Sequence, residues 1–377
     1  MLTQEGCRAR QDRLQERMAA EGIDAVMLTD HRDIYYFTGL LLSSYPAFPF
    51  PAAMVLQQSG ETWLAAHTVE GEALVDERIE YEFHKLYTMN PDPVRQLNNA
   101  VTDRLKKMKG VSRFGWQEES LPALLSHSLE NWVGDSALMP IDEVLAELQK
   151  SKDTEEAGLL RKSVEVSLAA YDAAQRVIVP GVNELDVLIA GRSAATHTAS
   201  SVMHHGGDYR SGEQGGVARD RSVPKGELYI IDAHTDFQGY WSDLCRTFSV
   251  GDPTDLQVSV YEHIAAILTD VPTLVKPGGK GTELWSILDA RIREHPHLAD
   301  SGLIHHGGHG VGLRPHEAPD LNRDREGIFE VGDVFSCEPG AYSDELGGGV
   351  RLENTYWITE DGVENLSEYP MNLIPKS

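Results

Sequence analysis

Apolar residues in the N-terminal part of the chain follow two rhythms. Over residues 5–21 they are sparse but helically spaced; Gly22 then interrupts the pattern, and Ile23, Ala25, Val26, Met27 and Leu28 follow as an apolar run. This predicts helix, turn and strand. Apolar stretches at 52–56 and 62–66 predict two more strands and the charged segment 95–109 a helix, so this region reads as a mixed α/β domain. Residues 40–51, rich in Ser, Pro and Phe, break the pattern and are expected to form a loop, either an ordinary connection or a cover over substrate.

From 141 to 179 the pattern turns strongly helical and charged, with Ser151, Asp153 and Thr154 as candidate caps ahead of Glu155 and Glu156. Pro180 and Gly181 end that run, and 184–199 reads as a further helix. At 377 residues the chain exceeds the roughly 250–300 that one core usually serves. Two domains are therefore expected, 1–150 and 151–377, with the boundary near Lys150. No internal repeat or low-complexity segment stands out.

With 41% hydrophobic residues and no biased run, the composition is that of an ordinary globular protein. Its 59 acidic residues against 33 basic ones leave a net charge of -26, which disfavours partners bound through phosphates or anionic lipids. Nucleic acid and membrane are thus not expected as partners. Residues 1–13 are polar, and no run of about 18 apolar residues occurs, so a cytoplasmic location is expected. Cys7, Cys245 and Cys337 are too few and too scattered for a disulfide framework, and buried thiols are expected instead.

The chemistry concentrates in the second half. Leu228, Tyr229, Ile230 and Ile231 form an apolar run ending in Asp232, and Gly239, Tyr240, Trp241, Ser242 and Asp243 return after a short turn. A hairpin centred on Phe237 and Gln238 sets Asp232 opposite Asp243, with Cβ atoms about 5 Å apart. The pattern recurs: Val334, Phe335, Ser336 and Cys337 lead to Glu338, and Val350, Arg351 and Leu352 lead to Glu353. Pairing about Glu345 and Leu346 sets Glu338 opposite Glu353. One such acidic pair is an ordinary coincidence. Two on apolar strands ask for compensating charge, and two divalent cations supply it.

Between the hairpins lies His305, His306, Gly307, Gly308, His309, Gly310, Val311, Gly312, Leu313, Arg314, Pro315, His316, Glu317. Glycines bring the backbone close while imidazoles project, and His309 suits the single nitrogen ligand of an oxygen-rich centre. Such a set suits Mn(II), Fe(II), Co(II) or Zn(II) better than Mg(II) and does not choose among the four. Two ions sharing a bridging water generate hydroxide near neutral pH, as hydrolysis of an amide requires.

In order and local context these residues resemble the pita-bread metallopeptidases, the group containing prolidase, aminopeptidase P, methionine aminopeptidase and the metal-free creatinase. The resemblance spans the chain: Ile34, Tyr35, Tyr36, Phe37, Thr38 and Gly39 are similar to the creatinase-type accessory domain, and 148–160 to its linker. It implies an α/β (α+β) fold, a creatinase-like N-terminal domain followed by a pita-bread domain. It implies five metal ligands, Asp232, Asp243, His309, Glu338 and Glu353, with Glu338 also the general base. His316 is implied to face the substrate and the tetrahedral centre, and His305 to stand at the histidine before the metal ligand. Arg351 occupies a position that holds the substrate carboxylate in prolidases; a salt bridge steadying Glu353 is an equal reading. The implied activity is cleavage of Xaa-Pro dipeptides or N-terminal Xaa-Pro bonds by a homodimer.

Two departures mark this chain. The family's catalytic histidine upstream of the first aspartate has no counterpart in Ser211, Gly212, Glu213, Gln214, Gly215, Gly216 and Val217; His204 and His205 are the candidate substitutes as substrate-binding residues. The usual glycine two residues after that aspartate is His234, on the face of Asp232 and in reach of a metal or substrate. These departures keep two alternatives open: a lyase acting on a sulfonium osmolyte such as dimethylsulfoniopropionate, and a creatinase-like hydrolase of a small C–N compound.

Overall fold

The computed structural model describes residues 1–42, 50–67, 71–82, 84–85, 88–89 and 92–376. The chain divides into two compact units, Met1–Gln149 and Lys150–Ser377. Much of the loop expected over 40–51 falls on 43–49, outside the described residues. Among the described residues no helix is long and apolar enough to cross a membrane.

The first unit is built on a six-stranded mixed sheet in the order Glu77–Tyr81, Thr62–His67, Ala53–Gln57, Ala25–Leu28, Phe114–Trp116, Leu138–Pro140. Ala25–Leu28 is central and buried along its whole length, which is why its sequence is continuously apolar rather than alternating. The helix before it, Gln4–Glu21, starts where the Thr3 side chain accepts from the Gly6 amide and stops at Gly22. Helices Pro93–Leu105 and Ala123–Val133 lay Leu97, Val101, Leu105, Leu125 and Leu129 into the core around Trp63 and Phe114.

The second unit opens with the helix Thr154–Gln175. Of the three candidate caps Asp153 is the one used, in a reciprocal box with Glu156. This helix and Glu184–Ala199 pack on a sheet whose central strand is the ten-residue Leu228–Phe237. His205–Ser211 lies along one edge of that strand, and Tyr240–Ser242 and Cys245–Ser249 follow each other along the other. A second sheet runs Glu317–Leu321, Gly308–Gly310, Val334–Cys337, Asn354–Thr359, Gly362–Asn365, and packs on helices Asp255–Leu274 and Gly281–Ile292. The ribbon Gly340–Ser343 with Gly348–Arg351 extends from it.

The two sheets meet where Cys245 bridges Glu353, whose amide donates to the Cys245 carbonyl at 3.0 Å. Arg246 secures this junction. Fully buried, it donates to the carbonyls of Cys245 (2.8 Å), Glu353 (2.6 Å) and Tyr369 (2.9 Å) and to the Asn354 side chain (2.8 Å). Each buried acceptor left without a donor costs about 1–3 kcal/mol. Arg246→Leu is therefore expected to lower stability by more than about 3 kcal/mol; a urea-unfolding midpoint equal to that of the parent protein contradicts this account of the junction.

Candidate metal centre

The first hairpin corrects the expected register. Phe237 pairs with Tyr240, so the turn is centred on Gln238 and Gly239, not on Phe237 and Gln238. Both turn residues have positive φ, 50° and 86°, as a two-residue turn matching strand twist requires. Asp232 consequently lies opposite Cys245, not Asp243. Asp243 instead faces His234, whose Nε2 is 2.9 Å from Asp243 Oδ2. A slip of two residues preserves the strand face, so Asp232, His234 and Asp243 still project together.

The second hairpin has the expected register. Cys337 pairs with Asn354 and Gly340 with Arg351, which leaves Glu338 opposite Glu353. His309 sits on the short strand Gly308–Gly310, between two neighbouring strands. A Cβ at Gly308 would stand 2.0 Å from the Ser336 carbonyl oxygen, and one at Gly310 1.9 Å from that of Ala318, so only glycine fits on either side of the imidazole. His309 Nδ1 donates to the Gly310 carbonyl at 3.0 Å. That bond directs the Nε2 lone pair toward the acids, 3.5 Å from Asp243 Oδ2 and 3.8 Å from Glu338 Oε1.

All five expected ligands line one cavity of about 340 Å³, together with His234, His305, His316 and Arg351. None of the five is more than 8% exposed. Burial, reinforced by the neighbouring acids, lifts Glu353 well above the ordinary carboxylate range. Asp243 is pushed up to about 6, again by burial, against the opposing pull of His234. Burial also acts on Glu338, yet the His306 hydrogen bond at 3.2 Å and the nearby imidazoles outweigh it and hold the carboxyl down at about 2. His309 and His316 are both lowered by burial, His309 to about 4, so they are neutral near pH 7.

Both carboxylate oxygens of Glu353 and Oδ1 of Asp243 are buried without a hydrogen-bond partner. Orphaned acceptors of this kind are costly unless something positive meets them. Asp243, His309 and Glu353 offer donor atoms within 4.8 Å of one another, a spacing and a donor chemistry that fit a divalent cation. His234, Asp243 and His316 form a second such group, and His305, His306 and Glu338 a third.

Several expected residues have other surroundings. His204 and His205 do not line the cavity. His205 is buried between Thr235 Oγ1 (2.8 Å) and the Tyr209 hydroxyl (2.6 Å), and the His204 ring lies 5.1 Å from that of Trp241. Arg351 does line the cavity, but its two terminal nitrogens are engaged, with Asp208 at 2.6 Å, Asp232 at 2.7 Å, the Gln214 carbonyl at 3.0 Å and the Tyr342 hydroxyl at 3.2 Å, while its Nε is buried without a hydrogen-bond partner. It steadies Asp232 rather than Glu353. His305 Nδ1 donates to the His306 carbonyl at 2.6 Å, which leaves Nε2 to accept from Tyr342 at 2.9 Å.

Sequence reasoning missed Asp208, Tyr342 and His306 as cavity residues. His306 stood in the histidine-rich segment and Tyr342 just beyond Gly340, so both were within reach of a closer reading. Asp208 had no signal, since its strand His205–Ser211 carries no apolar run to mark it. Its carboxylate fills the region that lacks the upstream histidine: a Cβ at Gly215 would be 2.1 Å from Asp208 Oδ2.

The chain is similar to proteins of known kind along its whole length. An Xaa-Pro dipeptidase of Pyrococcus horikoshii is 29% identical over 372 residues, 95% of this chain and 97% of that protein. One from Pyrococcus furiosus is 28% identical over 375 residues, covering 97% and 99%. The crystal structure of the prolidase from Pyrococcus horikoshii superposes with a TM-score of 0.77 at 25% identity, covering 97% of this chain and all of that one. This likeness establishes the pita-bread architecture of the second unit and the creatinase-like character of the first. A sequence model of the creatinase/prolidase N-terminal domain matches residues 10–149, and that of metallopeptidase family M24 matches 158–360. Since that second match alone takes in more than half of the chain, the protein is a member of metallopeptidase family M24.

Proposed function

We propose that this protein is a dinuclear metal-dependent peptidase that hydrolyses Xaa-Pro dipeptides or N-terminal Xaa-Pro bonds of short peptides. The observation that carries the reading is the convergence of Asp232, Asp243, His309, Glu338 and Glu353 on one cavity with three carboxylate oxygens lacking partners. The substrate class is that of the relatives called Xaa-Pro dipeptidase and prolidase. A cavity of about 340 Å³ is of the size that takes a small ligand such as a dipeptide. Bound by the five ligands, two divalent cations, Mn(II) first and then Zn(II), Co(II) or Fe(II), supply Lewis acidity and ionise water near neutral pH.

The chain's own groups do the rest. Glu338, oriented by His306 at 3.2 Å, is the base that takes a proton from the attacking water. His316, neutral and open to the cavity, donates to the oxygen that gains charge at the tetrahedral centre. Tyr342 holds His305 against the cavity wall, and Arg351 holds Asp232 in place through an ion pair at 2.7 Å. Homodimerisation and a cytoplasmic location belong to the same proposal and rest on the family resemblance and the composition.

Chelation is expected to abolish hydrolysis of Ala-Pro and to be reversed by Mn(II), with elemental analysis returning two ions per chain. Readdition at a hundredfold excess over Kd is expected to stabilise the fold by about 2.7 kcal/mol, read as a rise in Tm. An undiminished rate in protein verified to be metal-free sinks the reading. Glu338→Gln is expected to lower kcat on Ala-Pro by about 10²–10⁴-fold at saturating metal. A loss below tenfold in steady-state kinetics removes Glu338 from the role of base.

A further inference from the structure

The residue at 234 is where this chain's cavity departs most plainly from a plain five-ligand set. His234 belongs to the strand Leu228–Phe237, two residues beyond Asp232 on the same face, and stands across from Asp243. Its Nε2 lies 2.9 Å from Asp243 Oδ2, while His309 Nε2 lies 3.5 Å from that same oxygen. Donors bound to a common ion at about 2.0–2.1 Å are themselves about 2.9–3.4 Å apart, depending on whether the geometry is octahedral or tetrahedral. The first separation matches such an edge, and the second lies just beyond the longest of them.

A simple ion pair, in which Asp243 raises His234 to about 10, is the competing explanation, and by itself it does not reach the other buried oxygens. It engages Oδ2 alone, whereas Asp243 Oδ1 and both oxygens of Glu353 are buried with no partner. A cation beside Asp243 answers all of these. The donor atoms of His234, Asp243 and His316 lie within 4.8 Å of one another, so the imidazole of His234 faces a place where a cation already has other donors. With a quarter of its side chain exposed, His234 also borders the solvent side of the cavity.

We propose that His234 is a sixth metal ligand in this protein, donating Nε2 to the ion beside Asp243. The inference rests on the two-metal reading above and extends it. A second imidazole in an otherwise carboxylate centre changes which cation it prefers. Nitrogen donors favour Zn(II) and Co(II), whereas Mn(II) is suited by carboxylate, carbonyl and water. Relative to the same site without it, His234 thus strengthens binding of Zn(II) and Co(II) more than that of Mn(II).

The test is to load the full-length protein with Co(II) and record the paramagnetically shifted, exchangeable ring N–H protons by NMR, for the parent and for His234→Gln. The parent is expected to show at least two coordinated imidazoles, His309 and His234, and the variant one fewer. In parallel, Zn(II) and Mn(II) affinities are measured by competition with a chromophoric chelator; the variant is expected to lose at least tenfold in its Zn(II)-over-Mn(II) preference. Equal numbers of shifted resonances in the two proteins, or an unchanged preference, overturn the proposal and leave the two-metal reading standing. Absence of any bound Co(II) in the parent overturns both. Should the variant not fold, the parent spectrum decides: a single coordinated imidazole contradicts a sixth ligand at 234.

Discussion

Four carboxylates brought together out of water repel one another, and the second unit is arranged around that repulsion. At an effective dielectric constant of about 20, two charges 4 Å apart already interact by about 4 kcal/mol, so four cannot all remain ionised without positive charge among them. The protein's own contribution is uneven. Arg351 neutralises Asp232 and Asp208, His306 keeps Glu338 ionised, and Glu353 and Asp243 are left raised and partly orphaned. That imbalance makes the centre receptive to divalent cations and is the physical basis for M24 membership being more than a likeness of sequence.

Holding such a cluster takes a rigid frame. Leu228–Phe237 is paired along both edges, and the helix Thr154–Gln175 packs on it, so Asp232 and His234 have fixed directions. Gly308 and Gly310 let the His309 strand approach its neighbours more closely than any side chain permits. Arg246 ties the carbonyls of Cys245 and Glu353 together at the meeting of the two sheets. Each device fixes the direction of a side chain that faces the cavity, as expected for a site on strands rather than on mobile loops.

Much of this was legible because the chemistry is local. Apolar runs ending in acids marked both hairpins, and the glycine spacing around His309 marked a close approach. The error in the first hairpin arose from a single turn: placing it at Phe237 and Gln238 overlooked that Gly239 favours positive φ and that Gln238 must share it. The slip changed Asp243's neighbour from Asp232 to His234 without changing its face. Arg351 could not be assigned from sequence, because its partners Asp208 and Gln214 lie well over a hundred residues away.

The sequence by itself determined the order of elements, the two acidic hairpins, the histidine between them and the family to which they are similar, since each is written in short-range periodicity and spacing. Only the tertiary structure decided which of the many acids and imidazoles meet. It buried His205 between Thr235 and Tyr209, brought Asp208 in beside Arg351, and set His234 against Asp243. The reason is physical: a strand fixes the face of a side chain locally, but its partner across a cavity depends on register and packing between segments far apart in the chain.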